Sequence, residues 1–271
     1  MPPNAPLPAS IDRAVTSYLA AADRLLPGAG TDLAVAGSTA LGAYRDGASD
    51  IDLVAVLDDQ WRGRRDLIPR LRLLHLSQGP RILGRLVRGL GVSATCNVSF
   101  VWNSELRLPV SQLRPVASHV GELFQPQGSF DVNPVVWHEL VNGGITVRGR
   151  DVAEWGLDPE PDRLKPWVRK NLQFYWTSLA DKAEHGRLPF RASRVEWCLL
   201  GPARMHATLS TGDIISKDAA GDYALDAFPQ HAPILHVALA HLRQQDIPTD
   251  PPREQWREMT VVAMREIIAD A

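Results

Sequence analysis

The spacing of hydrophobic positions changes along the chain. Over residues 10–26 (SIDRAVTSYLAAADRLL) apolar side chains recur at helical intervals, which predicts a helix with Ser10 at its N-cap. Pro27 and Gly28 to Gly30 stop it. Leu33 to Ala36 then reads as a short buried strand and Ile51 to Leu57 as another, with a brief helix over Thr39 to Tyr44 between them. Asn97 to Trp102 (NVSFVW), rich in β-branched and aromatic residues, predicts a third strand. A proline- and glycine-rich middle spans Pro109 to Gly128. After it, Pro134 to Val141 reads as a helix stopped by Asn142-Gly143-Gly144, leading into ITVRG. From Leu164 onward the pattern is helical throughout, over 164–185, 193–211, 217–227, 232–244 and 252–268. The change of character near residue 150 predicts a mixed α/β domain over 1–150 and a helical domain over 151–271.

Composition narrows the function classes. An apolar fraction of 45% with 22% charged residues fits an ordinary soluble protein, and a net charge of −2 argues against a general nucleic-acid binder. The eight arginines between Arg62 and Arg88 alternate with leucines at helical spacing, as on a solvated amphipathic helix, with only Trp61 beside them to stack on a base. Cys96 and Cys198 sit in apolar runs without metal-ligand spacing and read as core thiols. The opening MPPNAPLPAS lacks the basic start and apolar core of a signal peptide, and no apolar stretch is long enough to span a bilayer. A cytoplasmic protein without a membrane partner is the expectation.

The chemistry concentrates in AGSTALGAYRDGASDIDLVAVL, residues 36–57. Strand side chains alternate, so Asp50 and Asp52 project to one side while Ile51 and Leu53 face the core. Two carboxylates that close repel unless a cation neutralises them. Mg²⁺ suits the arrangement, because it takes one or two protein carboxylates and fills its other positions with water and phosphate oxygens. Gly37 at a strand-to-helix turn lets a phosphate approach the backbone, and Ser38 adds a hydroxyl donor.

Gly37-Ser38, a short helix and then S-D-I-D-L resemble the motif of the polymerase-β-like nucleotidyltransferase superfamily. Residues 203–229 (ARMHATLSTGDIISKDAAGDYALDAFP) resemble the helical domain of streptomycin/spectinomycin adenylyltransferases, where an A-R, a T-G-K-I and a K-D-x-A-A recur at this spacing. The resemblance implies an α+β architecture: a nucleotidyltransferase domain with a mixed sheet, followed by an all-helical C-terminal domain. It also implies that ATP binds between the domains and that Mg²⁺ sits on Asp50 and Asp52. A hydroxyl of a small-molecule acceptor, an aminoglycoside-type antibiotic, would attack the α-phosphorus and release pyrophosphate, an activity of antibiotic resistance. Carried over by position, Gly37, Ser38 and Ser49 contact the triphosphate, and Arg204 and Lys217 reach the nucleotide from the helical domain. His241 falls where the family has a nucleotide-contacting tyrosine.

The same resemblance exposes two departures. The family's third carboxylate, the general base, aligns with Asn97, and no Asp or Glu lies between Ser93 and Ser104. An amide cannot accept a proton near neutral pH, and a general base is typically worth roughly 10²–10⁴-fold in rate. Glu105, Glu122 and Glu196 are the candidate replacements. The second departure is FRASRVEWC (190–198), which carries Arg191 and Arg194 where the family holds its cationic antibiotic with carboxylates. Only Glu196 is acidic there, so a neutral or anionic acceptor fits equally well. Trp197 is either a sugar-stacking platform or a core residue. The alternative to an active transferase is a nucleotide-binding regulatory protein that has lost the base. Protein AMPylation is a third reading, opposed by the long helical half.

Overall fold

The computed structural model describes residues 7–87, 95–121, 123–186 and 190–271. The chain divides into two compact units, Met1–Pro161 and Asp162–Ala271. Val152 and Trp155, past the expected change at 150, are buried in the core of the first unit.

The first unit is built on a six-stranded mixed sheet: β1 (Gly30–Val35), β2 (Ile51–Leu57), β3 (Cys96–Trp102), β4 (Ala117–Val120), β5 (Leu123–Pro126) and β6 (Ile145–Arg148). Their order is β5-β4-β3-β2-β1-β6, with β2 and β3 parallel and every other neighbouring pair antiparallel. Helices of this unit are α1 (Ala9–Leu25), α2 (Gly37–Ala40), α3 (Leu67–Leu76), α4 (Gly79–Val87) and α5 (Pro134–Gly143). The alternation in β2 divides its side chains between two cores. Ile51, Leu53, Ala55 and Leu57 join Ile11 of α1 and Leu71 of α3. Val54 and Val56 join Trp137 and Leu140 of α5. By the same alternation Asp52 belongs to the α5 side, which positions the site.

Several sequence expectations change in detail. Ser10 is not the N-cap of α1: Pro8 holds that position, and Ser10 lies in the first turn with its hydroxyl 3.3 Å from the Tyr44 hydroxyl. The short helix begins at Gly37 and ends at Ala40 rather than running over 39–44. The proline- and glycine-rich middle contains β4 and β5, a hairpin of four-residue strands too brief for periodicity to reveal. The arginine-rich stretch is two helices, α3 and α4, rather than one. Arg64 and Arg70 both pair with Asp66, while Arg62 pairs with Asp59 and Glu105. Trp61 is buried, with the Arg64 guanidinium 3.9 Å above its ring.

The second unit is helical: α6 (Pro161–Asn171), α7 (Thr177–Glu184), α8 (Ala192–Thr211), α9 (Lys217–Ala227), α10 (Ala232–Leu242) and α11 (Trp256–Asp270). A single π-helical stretch, Leu172–Trp176, joins α6 to α7. The twenty-residue α8 is central and packs on α9, α10 and α11. Its Gly201 admits Trp176, since a Cβ there would stand 2.0 Å from the indole ring. Cys96 and Cys198 are buried free thiols, and burial pushes the Cys198 thiol up to about 11. Among the described residues no helix is long and apolar enough to cross a membrane.

Candidate active site

The parallel pairing of β2 with β3 sets Asp52 level with Asn97. Paired residues of neighbouring strands share a face, so both side chains project to the α5 side of the sheet. Asn97 donates from Nδ2 to Asp52 Oδ1 at 3.2 Å, and its Oδ1 accepts the Gly121 N–H at 2.9 Å. Both ends of the amide are therefore engaged, and its oxygen already has a donor. Asp50 lies just before β2 on the exposed side of the same corner.

Gly37 closes the corner from above. Its φ of +61° and its contact with the Asp52 carboxylate both require glycine: a Cβ would stand 2.1 Å from Asp52 Oδ2. The Gly37 N–H, expected to face a phosphate, donates here to Glu139 Oε2 at 3.2 Å. Ser38 lies in the four-residue α2, and Ser49 Oγ accepts the Arg45 N–H at 3.0 Å within the turn before β2.

The loop before α5 supplies a residue that sequence reasoning missed. Ser129 Oγ sits 2.6 Å from Ser99 Oγ on β3 and accepts the Asp131 N–H at 3.1 Å, so the loop is fastened across the sheet face. Asn133 then caps α5, accepting the N–H groups of Val135 and Val136. Between these anchors, Asp131 is held against the Asp52–Glu139 corner. Its carboxyl is pushed up to about 7, first by burial and then by the charges of Asp52 and Glu139. A signal existed: D-V-N-P needs only Asn133 for the cap, which leaves Asp131 without a structural reason.

The candidate replacements for the base fall elsewhere. Glu105 follows β3 at the opposite end from Asn97, where it pairs with Arg62 and accepts the Arg114 N–H. Glu122 lies outside the described residues. Glu196 belongs to the second unit, where it holds Lys217 Nζ at 3.0 Å and His241 Nδ1 at 2.7 Å.

That second-unit cluster collects four of the sequence-predicted residues. Lys217 also lies over the Trp197 ring at 5.1 Å, and Trp197 packs on Trp176 at 5.7 Å between centroids. Trp197 is 39% exposed, so it is neither a fully buried core residue nor a free-standing one. Arg204 donates from Nε to the Ile215 carbonyl at 2.9 Å, which ties α8 to the turn before α9. Ser216 caps α9 by accepting the Ala219 N–H.

Residues 172–267 match the family described as the aminoglycoside adenylyltransferase C-terminal domain. The whole fold is similar to a solved spectinomycin adenyltransferase, AAD(9) from Enterococcus faecialis, crystallised with ATP and spectinomycin. The superposition covers 93% of this chain and 98% of that one at a TM-score of 0.63 and 15% identity. Residues 172–267 are thus similar to that family's helical domain, and the whole chain shares the fold of the solved neighbour. The chain has the mixed-sheet first unit and helical second unit that its motifs implied. No match is found among curated proteins.

The donor set of the Asp50–Asp52 corner fits a hard divalent cation. Asp50 and Asp52 offer only oxygen, the donor type such a cation takes. Among the described residues no three His, Cys, Asp or Glu side chains form a closed metal site by themselves.

Proposed function

We propose that this chain transfers AMP from ATP to a hydroxyl of a small molecule, an aminoglycoside-type antibiotic, in a Mg²⁺-dependent reaction that confers resistance. The observation that carries the reading is the Asp52 corner, a carboxylate pressed against the glycine turn that follows β1. Asp50 and Asp52 would hold the ion, which when bound supplies positive charge for the triphosphate and the leaving pyrophosphate. Gly37, Ser38 and Ser49 are the first unit's phosphate-side residues. Arg204, Lys217 and His241 are the second unit's nucleotide contacts, Arg204 as a bidentate fork and Lys217 as a point charge. Glu196 and Trp197 are assigned to the acceptor, Trp197 as a flat apolar face and Glu196 as the acidic group beside it.

The reaction asks for in-line attack on the α-phosphorus, so positioning and charge provide most of the rate. The experiment is incubation with α-labelled ATP, Mg²⁺ and a panel of aminoglycosides, reading labelled product and pyrophosphate. Labelled acceptor supports the reading. Mg·ATP binding without turnover across the panel overturns the resistance activity and favours a second reading, a nucleotide-binding regulatory protein. The observation behind that second reading is Asn97, whose amide is bonded at both ends and offers no base.

A further inference from the structure

We infer that Glu196 is a positioning residue for the second unit's nucleotide contacts, a single carboxylate that aims Lys217 and His241 as a pair. The inference rests on the nucleotidyltransferase reading above. Three helices meet at this carboxylate: Glu196 lies on α8, Lys217 begins α9, and His241 is in the last turn of α10. Its Oε1 accepts from Lys217 Nζ at 3.0 Å and its Oε2 from His241 Nδ1 at 2.7 Å. The Glu196 side chain is only 13% exposed, so both bonds form where water competes little.

Each partner is held at one end and open at the other. A lysine stem has much rotamer freedom to lose before its ammonium meets an anion. Here the backbone at Lys217 is set by the Ser216 cap, and the ammonium rests over the Trp197 ring as well as on Glu196. Trp197 in turn packs on Trp176, whose indole is seated at Gly201. An ammonium has three N–H groups and Glu196 takes one, so the fixed Nζ keeps donors for a phosphate. A carboxylate only accepts, so Nδ1 of His241 carries the proton in their bond and Nε2 is the ring atom left for a ligand. Among the described residues Nε2 makes no hydrogen bond, and the imidazole is partly exposed.

Charge and position predict opposite signs for the loss of this carboxylate. A negative group close to a triphosphate repels it, so charge alone makes Glu196→Gln bind Mg·ATP more tightly. Loss of aim makes it bind more weakly. The amide has one accepting oxygen where two donors converge, and its NH₂ must then face either the Lys217 ammonium or the His241 N–H. Glu196→Asp separates the two effects from the other side, because it keeps the charge and withdraws it by one methylene.

The test compares wild type, Glu196→Gln, Glu196→Asp, Lys217→Ala and Lys217→Ala/Glu196→Gln, each as the full chain. Calorimetry gives the Mg·ATP affinity, and denaturation in the same buffer gives the stability. Glu196→Gln and Glu196→Asp are both expected to weaken Mg·ATP binding by about 10- to 100-fold, as a displaced contact does. On the Lys217→Ala background the Glu196→Gln loss is expected to be at least about threefold smaller, since one of the aimed groups is gone. A merely structural loss would be the same on both backgrounds, and that result overturns the inference. Glu196→Gln binding Mg·ATP as tightly as wild type, or more tightly, also overturns it; the nucleotidyltransferase reading then stands, with Glu196 serving the acceptor alone. A wild-type chain that binds no Mg·ATP overturns the reading, and the inference with it.

Discussion

The Asp52 carboxylate occupies the space where a side chain on Gly37 would be: a Cβ there would stand 2.1 Å from Asp52 Oδ2. The two residues come from opposite sides of a strand–turn–strand unit, and their contact is possible only because residue 37 has no side chain and a φ of +61°. Gly37→Ala therefore carries two penalties. The left-handed backbone costs an L-residue roughly 1–2 kcal/mol, and the clash displaces Asp52. Thermal melts should show a modest loss of stability, while calorimetry with Mg·ATP should show a disproportionate loss of affinity. Unchanged affinity in a folded Gly37→Ala would mean that Asp52 does not need its present position.

Removing the carboxylates tests the corner from the other side. Asp50→Ala/Asp52→Ala is expected to abolish Mg²⁺-dependent nucleotide binding. The like charge of Asp52 is lost in the variant, so the Asp131 carboxyl should move back toward its ordinary value. Retained Mg·ATP affinity there would refute the metal assignment.

The motif residues were legible in the sequence because they are local. Gly37, Ser38, Asp50 and Asp52 sit on one strand–turn–strand unit whose periodicity and glycine announce it, and β2 runs over the predicted 51–57. The pairing of Asn97 with Asp52 depends on parallel register, which no local pattern encodes, yet the strand itself was evident from its β-branched run. Asp131 could be singled out in D-V-N-P but not placed, for a different reason. It lies in an irregular loop about eighty residues from Asp52, and only the Ser99–Ser129 fastening brings it to the corner. The edge hairpin of β4 and β5 escaped because four-residue strands contain too few positions to show a period. The pairing of Glu196 with Lys217 and His241 forms between helices far apart in sequence, so no local pattern announces it.

In the helical unit, Gly201 of α8 gives the sharpest stability test. A methyl group there meets Trp176, with the indole ring only 2.0 Å from the Cβ position. Neither partner has room, since Trp176 is itself buried. Gly201→Ala should destabilise the chain by about 1–3 kcal/mol, as overpacking does, despite alanine's better helix propensity. Chemical denaturation would check it; a neutral or stabilising result would mean that the indole has somewhere else to go.

Two buried titrations of opposite sign set the pH dependence of stability. His119 on β4 is held neutral, its pKa lowered to about 3 by burial and by the nearby His75. Gln78 Nε2 meets its Nδ1 at 3.3 Å, so Nδ1 accepts, and Nε2 carries the proton toward the Tyr18 hydroxyl at 2.9 Å. A folded pKa below the unfolded value near 6.5 means that His119 contributes stability above that pH, lost as pH falls toward 3. Asp131 works the other way. Its folded pKa of about 7 exceeds the unfolded 3.8, so its contribution is fully present below 3.8 and is lost as pH rises through about 7. Each group alone would tilt stability by about 1.4 kcal/mol per pH unit, and between pH 4 and 6.5 the two slopes oppose. Wild type should accordingly show a shallow dependence from this pair in metal-free buffer. Asp131→Asn should be stabilised near pH 8 and should lose stability more steeply on acidification. His119→Gln should show the reverse tilt, becoming relatively more stable toward pH 4. Denaturant midpoints across pH 4–8 for the three proteins would check both signs, and parallel curves for all three would rule out both titrations.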